Sequence, residues 1–166
     1  MPELSSPVFI RHYIFDETLG GGDGIQSNCS YNNIIRDNTV ANGYIGIYLD
    51  TSNNNLVVGN NVNGSFNGIG LFSATGNTLR GNIVRRNSID GFGLLKFSND
   101  DNITDNTVED NCDFGIYLQD SGNNAIYLNT FRNFKNAQSK DLRSQGSSSI
   151  WQSPEPVKYL TGNESR

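Results

Sequence analysis

Apolar and polar positions along this chain repeat with one period of 22 to 24 residues. Asparagine marks the repeat at Asn38, Asn60, Asn82, Asn106 and Asn129. Apolar residues lie three positions before each asparagine (Ile35, Val57, Leu79, Ile103, Ile126) and two positions after it (Val40, Val62, Val84, Val108, Phe131). Glycine forms a parallel column at Gly24, Gly46, Gly68, Gly91 and Gly115. Several columns that share a period in the low twenties predict a repeat protein with one supersecondary unit per copy.

Each copy is interpreted as three short strands separated by three turns. Residues 46–50 alternate apolar and exposed-type positions, as a strand does, and residues 52–55 form a turn signal. Two further short strands follow at residues 56–58 and 61–63, with Gly59 and Asn60 as the turn between them. Three strands and three turns in about 22 residues describe one rung of a parallel β-helix. We therefore predict an all-β, single-stranded, right-handed parallel β-helix (a solenoid) of about five rungs.

The predicted core consists of apolar ladders that run from rung to rung. One ladder follows the glycine column (Ile25, Ile47, Ile69, Phe92, Ile116), and a second lies two residues further on (Leu49, Leu71, Leu94, Leu118). Asparagine tolerates left-handed backbone in turns, and stacked asparagines can hydrogen-bond to the rungs above and below. The asparagine column is therefore predicted to be structural and not catalytic.

The repeat divides the chain into three segments. Residues 1–23 are predicted to form an N-terminal cap, residues 24–137 the β-helix, and residues 138–166 a polar tail. The tail contains Trp151, the only tryptophan, in a Trp/Pro segment that is predicted to pack on the last rung.

Composition and charge exclude several classes of function. The net charge is −5 and no basic run exceeds Arg85-Arg86, so a nucleic-acid partner is not expected. No apolar stretch approaches the length of a membrane span, and no signal peptide is visible. Cys29 and Cys112 lie more than three repeats apart, beyond the reach of a disulfide, and neither has zinc-site spacing.

Several segments carry a resemblance to a known family. Gly46-Ile47-Tyr48-Leu49, residues 53–57 and residues 105–111 resemble right-handed parallel β-helix repeats. More narrowly, they resemble the NosD-like family of carbohydrate-binding and sugar-hydrolase type repeats, which is abundant in archaeal surface proteins. Residues 123–131 resemble a rung near the end of such domains, and residues 150–159 resemble the segment that usually follows it. The resemblance implies an extracellular or cell-surface protein, of which this chain is expected to be a fragment.

The outward side of the first strand of each rung is the predicted functional surface. Its candidate carbohydrate-binding residues are Tyr48, Asp50, Phe72, Lys96, Tyr117 and Gln119, with Leu95 beside them. Aromatic rings stack on sugar rings, and the polar groups can hydrogen-bond to hydroxyls. A cross-rung stack that only rigidifies the sheet, or a surface that binds a protein, would have the same composition.

Enzymatic chemistry on this fold needs clustered carboxylates on adjacent rungs. The alternative catalytic residues are Asp101 and Asp105, with Lys96 as a partner; Asp101 replaces a repeated asparagine, and both carboxylates are predicted to be solvated. The only histidine, His12, precedes the rungs, and the His-containing motif of mannuronan epimerases is absent. We predict no cofactor, with loose calcium binding by Asp100, Asp101 and Asp105 as a weak alternative. A defined copper site is not supported by one His, two distant Cys and one Met.

Three hypotheses for function follow from these observations. The leading one is a non-catalytic carbohydrate-binding or structural module of a cell-surface or secreted protein, with a polysaccharide or surface glycan as partner. The second is a polysaccharide-active enzyme (a lyase, hydrolase or epimerase) that uses carboxylates on adjacent rungs. The third is a protein-assembly module whose open rungs stack end to end on flanking β-helix rungs or on another protein.

Overall fold

The structure, a computed structural model, describes residues 21–132 in full and the backbone of four flanking strands at residues 9–10, 13–15, 140–145 and 150–152. These residues form three parallel sheets that wind into a β-solenoid of about five turns. The predicted all-β parallel β-helix is therefore confirmed. In the described part of the chain, no helix is long and apolar enough to cross a bilayer.

Each turn of the solenoid contributes one strand to each sheet. Sheet 1 contains β3 (Ile25–Asn28), β6 (Ile45–Asp50), β9 (Asn67–Phe72), β12 (Phe92–Leu95), β15 (Phe114–Gln119) and β18 (Lys140–Gln145). Sheet 2 contains β1 (Phe9–Ile10), β4 (Ile34–Arg36), β7 (Leu56–Val58), β10 (Thr78–Arg80), β13 (Asn102–Thr104), β16 (Ala125–Tyr127) and β19 (Ile150–Gln152). Sheet 3 contains β2 (Tyr13–Phe15), β5 (Thr39–Ala41), β8 (Asn61–Asn63), β11 (Ile83–Arg85), β14 (Thr107–Glu109) and β17 (Thr130–Arg132).

Strand pairing extends beyond the predicted 24–137 solenoid in both directions. On the N-terminal side, Phe9 is in register with Ile34, and Tyr13 is in register with Thr39. On the C-terminal side, β18 pairs with β15 and β19 pairs with β16. The side chain of Trp151, which is predicted to pack on the last rung, lies outside the described residues.

The core is built from the predicted apolar ladders. In sheet 1, Ile47 pairs with Ile69, and Leu49 pairs with Leu71. These side chains and their counterparts in sheets 2 and 3 are almost completely buried and form one continuous cluster. Because successive strands pair without a register slip, each member of these ladders stacks on the apolar member of the next rung.

Steric crowding explains why glycine recurs in the glycine column. A Cβ at Gly46 would lie within 3.0 Å of the Val62 side chain and of the Gly68 carbonyl oxygen. Gly68 has the same relation to Val84 and to the carbonyl oxygen of Gly91. Glycine thus allows each rung to approach the backbone of the next rung at the corner that leads into sheet 1.

Asparagine side chains form hydrogen-bonded ladders at the turns. At the turn between sheets 2 and 3, the Asn60 backbone N–H and side-chain amide both donate to Asn82 Oδ1 at 3.0 Å. Asn82 repeats this pattern toward Asn106 Oδ1 at 2.8 and 3.0 Å. The Asn82 amide also donates backward to the Val57 carbonyl at 2.9 Å. The predicted structural role of the asparagine column is confirmed, since these buried amides bond to the rungs on both sides.

The fourth rung has one extra residue at the turn after sheet 1. Leu71 and Asn77 are six positions apart, whereas their counterparts Leu94 and Asp101 are seven positions apart. Lys96 and Phe97 both have positive φ values there, 54° and 67°, and Phe97 is 68% exposed. The turn absorbs the extra residue, so the strands on either side keep their register.

Replacing Asn82 with alanine should lower the free energy of unfolding by about 3 kcal/mol or more. The substitution removes four buried hydrogen bonds, namely those that Asn82 Oδ1 accepts from the Asn60 backbone and side chain and those that the Asn82 amide donates to the Val57 carbonyl and Asn106 Oδ1. Each bond contributes about 0.5–1.5 kcal/mol, and the Asn60 backbone N–H that loses its acceptor adds about 1–3 kcal/mol. Urea denaturation measures the change, and Asn28→Ala at an exposed strand position is the control. Equal losses in both variants would contradict a stabilising role of the ladder.

Candidate functional site

Two columns of outward-facing residues define the surface of sheet 1. Their sequences, from the N-terminal rung onward, are Gln26, Tyr48, Gly70, Gly93, Tyr117 in one and Asn28, Asp50, Phe72, Leu95, Gln119 in the other. In the first column, two glycines separate Tyr48 from Tyr117. With rungs spaced at about 4.8 Å, the two tyrosines are about 14 Å apart along the axis.

The missing side chains leave a depression, which we call the Gly93 groove. It has a volume of about 100 Å³ and is lined by Ile45, Tyr48, Asn67, Gly70, Leu71, Phe72, Asp90, Gly93, Leu95 and Tyr117. This volume is below the range of roughly 300–1000 Å³ that holds a whole drug-sized ligand. The groove is therefore large enough for only a small part of such a ligand.

The floor of the groove is open at Gly93. A Cβ added at Gly93 would meet no atom within 4 Å, and no positive φ requires glycine there. At Gly70 a Cβ would lie 3.3 Å from an Ile45 methyl and 3.4 Å from Tyr48 Cδ2. The Tyr48 ring thus lies close to Gly70, while the space above Gly93 is free for a ligand.

Aromatic side chains form the walls of the groove. The Tyr117 ring stacks on the Phe114 ring with centroids 5.9 Å apart and an interplanar angle of 23°. The Tyr117 hydroxyl is 3.4 Å from Gln119 Oε1, close enough to donate a weak hydrogen bond. Phe72 and Leu95 are half-buried on the opposite side. The arrangement offers apolar ring faces together with the phenolic groups of two tyrosines, which suits a flat ligand that also carries polar groups.

One carboxylate lines the groove among the residues that the structure describes. Asp90 lines it, is only 7% exposed, and accepts a hydrogen bond from the Phe114 N–H at 3.1 Å. Burial raises the pKa of Tyr48, and the charges of Asp50 and Asp23 raise that pKa further. The Tyr48 hydroxyl therefore stays protonated at neutral pH and is available as a hydrogen-bond donor.

Most of the predicted carbohydrate-binding residues lie at this surface. Tyr48, Phe72 and Tyr117 line the groove, while Asp50 and Gln119 are in register with Phe72 and Leu95 in the second column. The placement of Lys96 on the strand face is wrong. Lys96 follows the end of β12, has left-handed backbone and is exposed at the lengthened turn, so it does not line the groove.

Sequence reasoning missed the residues that shape the groove. Ile45, Asn67 and Asp90 form one side of it, and Gly70 and Gly93 form its floor. The sequence repeat did contain a signal for the floor of the groove, because Gly70 and Gly93 occupy the positions equivalent to Tyr48 and Tyr117.

The alternative catalytic residues are not brought together. The prediction that Asp101 is solvated is wrong: it is 1% exposed, because it continues an asparagine ladder from Asn77 to Asn124. Burial raises the pKa of Asp101 from 3.8 to about 7, repulsion from Asp100 adds to the rise, and hydrogen bonds from Asn77 oppose it. Asp105 is exposed at the other end of β13, and neither carboxylate lines the groove.

The described residues do not form a metal centre. Among residues 21–132, no group of three or more His, Cys, Asp or Glu side chains could hold a metal ion. Cys29 and Cys112 are both free and exposed, and Asp101 Oδ1 accepts hydrogen bonds from the Asn77 backbone and side chain. The carboxylates of the calcium alternative thus do not converge, and the donor set in this part of the chain does not fit copper.

Comparison with known proteins identifies both the fold and the family. Crystal structures of the periplasmic alginate epimerase AlgG and of its single-substitution mutant are similar, with TM-scores of 0.63 and 0.64 and identities of 19% and 20%. The match covers 86–87% of this chain but only 39–40% of AlgG, so the chain spans about two fifths of that protein. No curated protein sequence matches the chain. The family described as "Periplasmic copper-binding protein (NosD)" matches residues 11–164. The chain is therefore a member of the NosD family.

Proposed function

We propose that this chain is a non-catalytic carbohydrate-binding β-helix module of a protein that acts outside the cytoplasm. The observation that carries the proposal is the Gly93 groove, a depression between two tyrosines on an otherwise continuous sheet face. The periplasmic description of the family and the similarity to a periplasmic alginate epimerase support a glycan partner and an extracytoplasmic location.

The groove has the chemistry that sugar recognition requires. A sugar ring presents an apolar C–H face and a rim of hydroxyls, so it binds where aromatic faces lie beside hydrogen-bonding groups. Tyr48, Phe72 and Tyr117 supply the aromatic surface, and the Asn67 side chain supplies polar atoms. A ring placed over Gly93 would contact all of these from the one open position on the floor.

The same geometry argues against the enzymatic alternative. Paired carboxylates that cleave glycosidic bonds lie roughly 5–9.5 Å apart on either side of the bond. Asp101 and Asp105 lie at two different turns, separated by the whole of β13, and Asp101 is buried in an amide ladder. The groove itself is lined by a single carboxylate, that of Asp90, among the residues the structure describes.

Filling the groove should abolish glycan binding without unfolding the protein. We expect Gly93→Leu to bind at least about 10-fold more weakly, because the new side chain occupies the floor while no neighbouring atom lies within 4 Å of its Cβ. Retention on immobilised neutral and acidic polysaccharides, with an assay for new reducing ends and unsaturated uronates, measures both binding and turnover.

The matched control is Gly22→Leu, because Gly22 is also free of atoms within 4 Å but lies outside the groove. Unchanged retention of Gly93→Leu relative to this control would remove the groove as the binding site. New reducing ends or unsaturated uronates would instead favour the enzymatic alternative.

The protein-assembly alternative depends on the terminal rungs, whose side chains lie outside the described residues. It stays a prediction.

A further inference from the structure

We infer that the stacked rings of Tyr44 and Phe66 form a second sugar-binding site that continues the Gly93 groove, so the ligand is a glycan chain and not a single sugar; this rests on the carbohydrate-binding function proposed above. The size of the groove requires such a continuation. At about 100 Å³ the groove is smaller than a site that holds a whole ligand, so most of a bound glycan chain must lie outside it.

Tyr44 and Phe66 form a flat aromatic surface, which we call the Tyr44–Phe66 platform, at the corner that leads into sheet 1. Their ring centroids are 5.2 Å apart, and the interplanar angle is 11°. The two residues are 53% and 42% exposed. The Phe66 N–H donates to the Gly43 carbonyl at 3.0 Å, which holds the two residues at the same position of adjacent rungs. Because the stack is already formed, a ligand that binds to it pays little for ordering side chains.

The next rung does not continue the stack. The Ser88 N–H donates to the Ser65 carbonyl at 2.8 Å, which places Ser88 at the position that follows Phe66. Ser88 is exposed and carries only a hydroxymethyl group, so no third ring covers the platform from this position. An aromatic surface beside a hydroxyl group suits a sugar ring, which presents both C–H groups and hydroxyls.

The platform adjoins the groove on two rungs. Ile45 and Asn67 line the groove and are in register, and they directly follow Tyr44 and Phe66 in the chain. Because consecutive Cα atoms lie about 3.8 Å apart, the platform begins within one residue of the edge of the groove. A glycan chain that leaves the groove past Asn67, in the direction of the strands, therefore reaches the platform.

The surroundings of the platform favour a sugar over a protein partner. Asn42 and Gly64, which lie two positions before Tyr44 and Phe66, are exposed, as is Ser88, and none of the three has a large apolar side chain. A specific protein interface buries about 800 Å² per partner around an apolar centre, which two rings do not provide. The face of one aromatic ring is enough to stack one sugar ring.

The dependence of binding on chain length tests the platform. The probes are glucose, mannose and mannuronate oligomers of one to six rings, and dissociation constants are measured by ligand-observed NMR with the whole chain. In at least one series we expect Phe66→Ala to weaken the binding of the long oligomers about 3- to 10-fold, because an aromatic stacking contact is lost. The shortest oligomer that binds should keep its affinity, since it occupies only the groove.

Two further variants serve as controls. Phe66→Tyr keeps an aromatic ring and should bind the long oligomers as the wild type does. Tyr31→Ala removes a ring of similar exposure, 51%, from the turn between β3 and β4, and Tyr31 does not line the groove. It should change no dissociation constant. Urea denaturation of each variant shows whether its fold is retained.

The outcomes distinguish a failure of the platform from a failure of the proposed function. If binding is sensitive to Gly93→Leu but Phe66→Ala affects long and short oligomers equally, or neither, the groove is a glycan site and the platform does not continue it. A stack that only stiffens the corner, or that binds a protein, would give this result. If no oligomer binds in a manner sensitive to Gly93→Leu, the proposed function fails, and the platform has no groove to continue.

Discussion

Alanine at position 68 is expected to destabilise the solenoid by about 3 kcal/mol or more, enough to unfold a large fraction of a marginally stable domain. A Cβ there would lie within 3.0 Å of the Gly91 carbonyl oxygen and of the Val84 side chain. The first obstacle is a backbone carbonyl that accepts a hydrogen bond from the Ile69 N–H, and the second is a fully buried valine. Moving the carbonyl would strain that hydrogen bond, and moving the valine would disturb the packed core.

Gly93→Ala provides the matched control for this prediction. It adds the same methyl group to a glycine in the same sheet, but into space with no atom within 4 Å. Its free energy of unfolding should change by no more than about 0.5 kcal/mol. Urea denaturation followed by circular dichroism compares the two variants. A loss at Gly68 within about 1 kcal/mol of that at Gly93 would refute the steric role of the glycine column.

Asp101→Asn should stabilise the protein above neutral pH by up to about 4 kcal/mol. Asp101 Oδ1 accepts from the Asn77 backbone and side chain, whereas Asp101 Oδ2 is buried without a hydrogen-bond partner. The other members of the ladder place an amide N–H at that position, as Asn124 does when it donates to the Ser98 carbonyl. Only the protonated carboxyl can imitate that donor.

The pH dependence of this effect follows from the shifted pKa of Asp101. The pKa is about 7 in the folded protein and about 3.9 in the unfolded chain, so the folded state holds the proton more tightly. The contribution of Asp101 to stability is therefore complete below about pH 4 and is lost progressively as the pH rises to about 7. Three units of pKa correspond to about 4 kcal/mol, which is the advantage expected for the Asp101→Asn variant at about pH 8.

Thermal or urea denaturation of wild type and Asp101→Asn at about pH 4, 6 and 8 measures this advantage. The difference between the two proteins isolates Asp101 from the other titrating carboxylates. It should be smallest at the lowest pH and largest at the highest. A difference that does not vary with pH would show that folding does not raise the pKa of Asp101.

The fold could be predicted from the sequence because the contacts between rungs of a solenoid repeat at a fixed spacing along the chain. Ile47 and Leu49 stack only on their counterparts one rung away, so each buried column appears as a residue type repeated every 22 to 24 positions. The asparagine ladder was predictable for the same reason. The sequence also showed that Asp101 replaces a repeated asparagine. Its burial follows once that column is recognised as internal and not as a solvated turn.

The groove was harder to predict because it forms where two residues of the outward column, both glycines, carry no side chain. A search for aromatic and charged residues finds Tyr48 and Tyr117 but passes over Gly70 and Gly93, which create the space between them. Lys96 was misplaced for a different reason. It corresponds to Thr51 and Ser73, which also follow the strand of sheet 1 with positive φ, so Lys96 begins the turn as its counterparts do and does not continue the strand face.

Substitutions in the outward column that contains Gly70 and Gly93 could shift the groove along the solenoid axis. Every rung offers an equivalent position in that column, and the groove lies where glycine fills two consecutive positions between bulky neighbours. The combined changes Tyr48→Gly and Gly93→Tyr would move the gap by one rung toward the N-terminus without altering a single buried residue. A recognition site of this kind can be relocated, duplicated or erased by substitutions on the surface, while the hydrogen-bonded interior stays constant.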